Sequence, residues 1–176
     1  MPLFEKEELY FVSFKTAAGW VGLRGTYRGI SRMTLPRKSR EQAIKDLGLE
    51  PDQAVYSVEY FKFSMEQVMA YFNGYKIDFL ANVDLSQASP FERSVWEATR
   101  KIPYGETRSY LWVAQQIKKP EAPRAVGQAL GKNPLPIIIP CHRVLTSDGK
   151  LGGYRGGLEM KRFLLNLESN CGLSSG

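Results

Sequence analysis

The run Pro140-Cys141-His142-Arg143 sets a thiol, an imidazole and a guanidinium on consecutive residues, and His142 is the only histidine of the 176-residue chain. The thiolate is the form of cysteine that attacks carbon, and a free thiol with a pKa of about 8.5 holds only a small fraction of it at neutral pH. Cys141 therefore needs a base or a nearby cation, and His142 and Arg143 are the local candidates. Ile137-Ile138-Ile139, bounded by Pro136 and Pro140, has the composition and length of a short buried strand that would deliver Cys141 at its end. Neighbours on an extended chain point to opposite sides, so His142 reaches the sulfur only if the strand turns there. Otherwise a water relays the proton while a carboxylate orients the other ring nitrogen. A buried cysteine at a strand end is more often a small core residue than a nucleophile, so this motif alone does not make Cys141 reactive.

The elements that must position Cys141 lie in a basic half of the chain. Residues 1–87 hold 11 Lys/Arg against 11 Asp/Glu, whereas residues 88–168 hold 13 against 7. The excess suits a polyanion, although a solvated basic face has the same composition. Ser89, Pro90 and Glu92 read as N-cap, first position and third position of a helix with Phe91, Val95 and Ala98 on one face, ended by Pro103-Tyr104-Gly105. A helix from about Ser109 to Ile117, a turn through Lys118-Lys119-Pro120-Glu121-Ala122, and a helix from Pro123 to about Lys132 give a helix-turn-helix outline. The second helix carries Gly127 and Gly131, each costing about 1 kcal/mol relative to alanine. Such small residues allow close approach, either of a neighbouring helix or of a ligand. Asp148-Gly149 reads as a turn. The loop Gly152-Gly153-Tyr154-Arg155-Gly156-Gly157 lacks the lysine and Ser/Thr of a phosphate-binding loop. It opens a helix whose Met160, Phe163, Leu164 and Leu167 form a core stripe.

Upstream, Leu9 to Ile30 alternates apolar and polar residues around glycines, predicting strands joined by tight turns. Ser39 with Gln42 predicts a helix ending at Gly48, and Ser64 with Gln67 a helix ending at Gly74 with Met65, Val68, Met69 and Phe72 inward. Residues 78–88 read as a linker, dividing residues 1–87 from 88–168 and leaving 169–176, with Cys171, as a frayed, inert tail. Glu5, Glu7 and Glu8 stand where a secretory signal would be basic, and no stretch reaches the roughly 20 apolar residues of a membrane span. An intracellular protein, cytoplasmic or nuclear in a eukaryote, with reduced cysteines is expected. One histidine and two cysteines provide no four-ligand zinc set.

From Phe91 to Glu168 the chain closely resembles the O6-alkylguanine-DNA alkyltransferases, also called methylated-DNA-protein-cysteine methyltransferases. The resemblance rests on Phe91-Glu92-Arg93-Ser94-Val95-Trp96, Ile102-Pro103-Tyr104-Gly105-Glu106-Thr107, Arg124-Ala125-Val126-Gly127, Asn133-Pro134, Pro140-Cys141-His142-Arg143-Val144 and Gly152-Gly153-Tyr154, in that family's order and spacing. It implies a mixed α/β (α+β) chain: a small ribonuclease H-like domain, then a mostly helical, winged-helix-like domain whose helix-turn-helix enters DNA from the minor-groove side.

The resemblance further implies single-turnover, self-inactivating transfer of an alkyl group from O6 of guanine in duplex DNA to Cys141. His142, through water, would take the thiol proton, with Glu168 orienting it. Tyr110 would supply a proton to the leaving base, and Asn133 would tie the recognition helix to the active-site turn. Arg124 would replace the extruded nucleotide, with Tyr110, Ala125, Gly127 and Gln128 also against DNA, while Pro140, Val144, Tyr154 and the Arg155 backbone line the base pocket. No cofactor and no metal is implied, and a monomer is expected. Arg155 stands where relatives often have serine, and Leu111-Trp112 is more apolar than their usual pair. The alternatives are a lesion-binding alkyltransferase-like protein, which would lack this cysteine, and a cysteine hydrolase, which would recycle and use a separated histidine and an oxyanion hole.

Overall fold

The computed structural model describes residues 7–170. The chain forms two compact units. One runs to Asn73 and includes Phe79–Ser86; the other contains Gly74–Asp78 and the chain from Gln87 onward.

The first unit is built on a four-stranded sheet. Strands β1 (Tyr10–Thr16), β2 (Gly19–Thr26) and β3 (Gly29–Met33) form an antiparallel meander through two-residue turns. Gly19 and Gly29, which close those turns, both have strongly positive φ, a conformation glycine adopts without a Cβ clash. Strand β4 (Val55–Tyr56) adds in parallel to β1, giving the order β3-β2-β1-β4. Helices α1 (Arg40–Asp46) and α2 (Val58–Phe72) pack on the sheet, burying Ala43, Phe61, Val68, Tyr71 and Phe72 beside Val12, Val21 and Leu23.

Two expectations fail in this unit. Helix α2 starts at Ser57, whose side chain accepts from the Tyr60 amide, so Ser64 is interior rather than a cap. A serine inside a run of strong helix formers costs too little to stop the helix. Of its expected inward stripe, Val68 and Phe72 are buried while Met65 and Met69 are only partly covered. The supposed linker is also engaged: Ile30 donates to the Asn82 carbonyl at 2.9 Å and accepts from the Asp84 amide at 2.8 Å, tying residues 82–84 to β3.

The second unit is helical. Helix α3 (Pro90–Arg100) opens with a complete Ser89/Glu92 capping box and buries Val95, Trp96, Ala98 and Thr99. A short strand β5 (Arg108–Ser109) leads into α4 (Tyr110–Gln116), and α5 (Pro123–Gly131) follows after a turn. Both α4 and α5 pack on α3 and on each other. Strand β6 (Val144–Leu145) pairs in parallel with β5, and α6 (Leu158–Ser169) closes the unit. Ser169, expected in a frayed tail, is the last residue of α6, and Asn170 is its C-cap. Cys171 and the rest of that tail lie outside the described residues. No described helix is long and apolar enough to cross a membrane.

Candidate active site around Cys141

Ile137-Ile138-Ile139 is not a strand. Pro134, Pro136 and Pro140 have no N–H to give a ladder, and the chain folds into a tight turn in which the Ile139 amide donates to the Leu135 carbonyl at 2.8 Å. The turn brings Ile137 to a φ of 76°, the left-handed region that a β-branched residue rarely enters, and buries it. Asn133 braces it from within: its Oδ1 accepts from the Leu135 amide at 2.9 Å and its Nδ2 donates to the Ile139 carbonyl at 2.8 Å. Because Asn133 follows directly on the Lys132 C-cap of α5, this amide couples that helix to the turn. Asn133 Nδ2 also donates to Cys141 Sγ at 3.1 Å, a contact that spacing alone does not disclose.

Cys141 begins a 3-10 turn, Cys141–Arg143, in place of the expected strand end. The next two side chains are thereby buried and meet Glu168 of α6. His142 Nε2 lies 2.6 Å from Glu168 Oε1. An ionised carboxylate only accepts, so Nε2 carries the ring proton and Nδ1 keeps its lone pair. Nδ1 is buried without a hydrogen-bond partner. Arg143 grips the same carboxylate with two bonds of 2.9 Å, Nε to Oε2 and Nη2 to Oε1, and donates Nη1 to the Ile102 carbonyl at 2.8 Å. Its guanidinium therefore serves Glu168, which corrects the expectation that it stands beside the thiol. The Gly105 amide completes the shell on Oε2 at 3.2 Å.

Burial alone would raise the Glu168 carboxyl, but hydrogen bonds from His142 and Arg143 outweigh it and hold the group at about 2. Burial lowers His142 despite the opposing carboxylate, so the imidazole is neutral at pH 7. Burial also raises the Cys141 thiol, against the pull of Asn133, Tyr154 and Lys161. The resting sulfur is thus a protonated thiol with thiolate-stabilising groups already around it.

Lys161 is the residue the sequence reading missed. It was hidden beside Met160 in a supposed apolar stripe, yet the buried face of α6 is Lys161, Leu164 and Glu168, while Phe163 is exposed. The three fall at i, i+3 and i+7, a helical spacing that an apolar pattern does not register because two of its members are charged. Lys161 Nζ donates to the carbonyls of Val144 at 2.7 Å, Leu151, and Gly153 at 3.4 Å. Burial lowers it to about 8, against the opposing pull of Cys141. It is still mainly an ammonium at pH 7, a buried cation close enough to favour the anionic form of the Cys141 sulfur.

The remaining expected site residues fall around this centre. Tyr154 is close enough to Cys141 for each to shift the other's titration, burial and the sulfur both raising the phenol, so it stays protonated. Pro140 and Val144 are buried at the two ends of the cysteine turn, whereas the Arg155 side chain is exposed. Tyr110, first residue of α4, reaches the Gly152–Gly153 loop, with its hydroxyl 3.5 Å from the Gly153 carbonyl. Burial, then Cys141, raises its phenol, keeping it a donor. Arg124 and Gln128 are exposed on α5. A Cβ on Gly127 would make only an ordinary 3.6 Å contact with Tyr110, and one on Gly131 would meet nothing within 4 Å, so close helix packing does not explain these glycines. Among the described residues no group of three or more His, Cys, Asp or Glu is arranged to hold a metal ion.

The family model of the 6-O-methylguanine DNA methyltransferase DNA-binding domain matches residues 90–170. A methylated-DNA–protein-cysteine methyltransferase of Methanosarcina acetivorans is 39% identical over 164 residues, 93% of this chain and 100% of the relative. Another, from Mycolicibacterium paratuberculosis, is 53% identical over 108 residues, 61% of this chain and 65% of the relative. The solved structure of Mycobacterium tuberculosis OGT in complex with DNA matches with a TM-score of 0.78 at 37% identity, covering 92% of this chain and 94% of that one. The O6-methylguanine-DNA methyltransferase of Pyrococcus kodakaraensis matches with a TM-score of 0.65 at 29% identity, over 91% and 98%. Likeness along a relative's entire length, in sequence and in the order of folded elements, means that this chain belongs to the methylated-DNA–protein-cysteine methyltransferase family.

Proposed function

We propose that this protein repairs DNA by direct reversal, taking the alkyl group from O6 of guanine in duplex DNA onto its own Cys141, once per molecule. The observation that carries the reading is the buried Cys141 Sγ, bonded by Asn133 at 3.1 Å and followed by a neutral imidazole fixed on Glu168 at 2.6 Å. His142 Nδ1 is the free base of this group and accepts the thiol proton through a water, forming an imidazolium that Glu168 stabilises. The sulfur lone pair then forms the S–C bond as the C–O6 bond breaks, and its electrons pass to the purine. Tyr110 supplies the proton that neutralises the leaving base. The product thioether has no hydrolytic exit, so no turnover follows. The lesion is itself the alkyl donor, so the reaction uses no cofactor, and a single chain carries every group it needs. Such a protein works where the cell keeps its DNA.

Delivery of the base falls to α4 and α5. Arg124 fills the gap left by the extruded nucleotide, and Ala125, Gly127 and Gln128 face the narrow groove, where small side chains permit approach. Pro140, Val144, Tyr154 and the Arg155 backbone enclose the flipped guanine. Intact-mass measurement after incubation with O6-methylguanine duplex is expected to show a gain of one methyl group, about 14 Da, on Cys141, and none in Cys141→Ala. A hydrolase or an inert binder would leave the mass unchanged.

A further inference from the structure

We propose that Arg24, Arg32 and the open shoulder at Gly48 form a phosphate-binding site in the first unit. Arg24 of β2 and Arg32 of β3 are direct partners across the antiparallel ladder, so both side chains leave the same face. Like charges placed directly opposite destabilise a sheet, and sheets ordinarily avoid them. Neither arginine forms an ion pair among the described residues. Arg24 donates Nη1 to the Leu47 carbonyl at 2.7 Å, at the C-terminal end of α1, which fixes the guanidinium. Its Nε is buried with no acceptor. A held, half-buried cation set against a second cation, with no described anion paired to either, is an incomplete arrangement.

What completes it is indicated by Gly48. This glycine, at φ +65, is exposed, and a Cβ built on it would meet only two atoms within 4 Å: Arg24 Nη1 at 3.9 Å and Arg32 Nη1 at 4.0 Å. One terminal nitrogen of each guanidinium thus lies about 4 Å from the same exposed position, which no side chain occupies. An oxyanion seated there would relieve the repulsion between the arginines and accept from both, and guanidinium forks match the geometry of phosphate. Burial, then Arg32, works to lower the Arg24 guanidinium, and no carboxylate opposes this. The phosphate has two sources, a DNA backbone or free inorganic phosphate, and one experiment tells them apart.

The full-length protein is titrated with inorganic phosphate at constant ionic strength, following the Arg24 Nε–H and Gly48 amide signals by nitrogen-15 NMR. Saturable shifts are expected in the wild type, with affinity about tenfold weaker in Arg32→Gln, the loss of one charge-assisted bond. Phosphate should raise the melting temperature of the wild type more than that of the variant. In chloride alone Arg32→Gln should melt no lower than wild type, because the like-charge pair is gone. Arg32→Lys, which keeps the charge without the fork, serves if the glutamine variant folds poorly. For undamaged duplex, a slope of log affinity against log salt reduced by about 0.9 in Arg32→Gln assigns the site to the DNA backbone; an unchanged slope assigns it to free phosphate. Shifts that fail to saturate, or equal phosphate affinity in both proteins, overturn the proposal. None of these readings requires alkyl transfer, so they are independent of the repair reaction.

Discussion

Glu168 is the residue on which the chemistry of the site converges. It accepts from His142, twice from Arg143 and once from the Gly105 amide, all inside the protein. Removing its charge would leave Arg143 a buried, unpaired cation, and losses of this kind run to about 3–5 kcal/mol. Glu168→Gln should therefore lower the urea-unfolding free energy by about 3 kcal/mol while also slowing transfer from free O6-benzylguanine, since the imidazole loses its orienting anion. Acid dependence gives a second readout. A carboxyl held at about 2 in the fold, below its unfolded value near 4.5, contributes stability that is complete above pH 4.5 and is lost as pH falls towards 2. The variant should lack that portion of acid destabilisation. His142 has the opposite bearing: its depressed titration keeps the base neutral, so the transfer rate should hold across neutral pH and fall only below the ordinary histidine range. A rate already falling between pH 8 and 7 would contradict the imidazole's role as the proton acceptor.

At the level of elements, sequence patterns were legible where a local rule governs the outcome and silent where tertiary contacts do. The Ser89-Pro90-Glu92 start of α3, the Ser39 cap of α1 and the turns of the β1–β3 meander each depend on residues adjacent in the chain. Ile137-Ile138-Ile139 reads as a strand by composition, but three prolines and the Asn133 side chain turn it, and Asn133 acts across six residues. Lys161 escaped notice because buried ammonium groups are rare and its partners are carbonyls, which leave no mark on the sequence. The family motif located Cys141, His142, Asn133 and Glu168; only the fold reveals that Arg143 belongs to Glu168 and that Asn133 reaches the sulfur. Helix α5 offers a direct test of its glycines. Gly127→Ala adds a methyl in ordinary contact with Tyr110 and removes a helix penalty, so it should raise stability by about 1 kcal/mol in urea. If Gly127 faces the groove as proposed, the variant's affinity for duplex DNA should nevertheless fall, because the added methyl would stand on that face. A variant gaining stability without losing affinity would return the glycine to a purely structural role.

Across the whole molecule, charge is distributed unevenly, with the entire excess carried by residues 88–168. Neutralising backbone phosphates releases condensed counterions, so affinity for undamaged duplex should fall linearly on a logarithmic salt scale, with a slope of about −0.9 for each phosphate contacted. Lys118 and Lys119 are exposed in the turn between α4 and α5, with the Lys119 ammonium 5.5 Å over the Phe91 ring. Replacing both with glutamine should flatten the slope by nearly two contacts and weaken duplex binding uniformly across sequences, leaving the reaction with free O6-benzylguanine untouched. Arg124→Ala differs in kind. It should slow repair of duplex lesions far more than it weakens binding, and barely alter reaction with the free base, because only a stacked nucleotide has to be extruded. Measuring salt slope, duplex repair and free-base reaction on the same variants separates electrostatic capture from base extrusion and from chemistry at sulfur. Equal losses on duplex and free substrate in Arg124→Ala would remove that residue from extrusion and place its effect within the alkyl-transfer step itself.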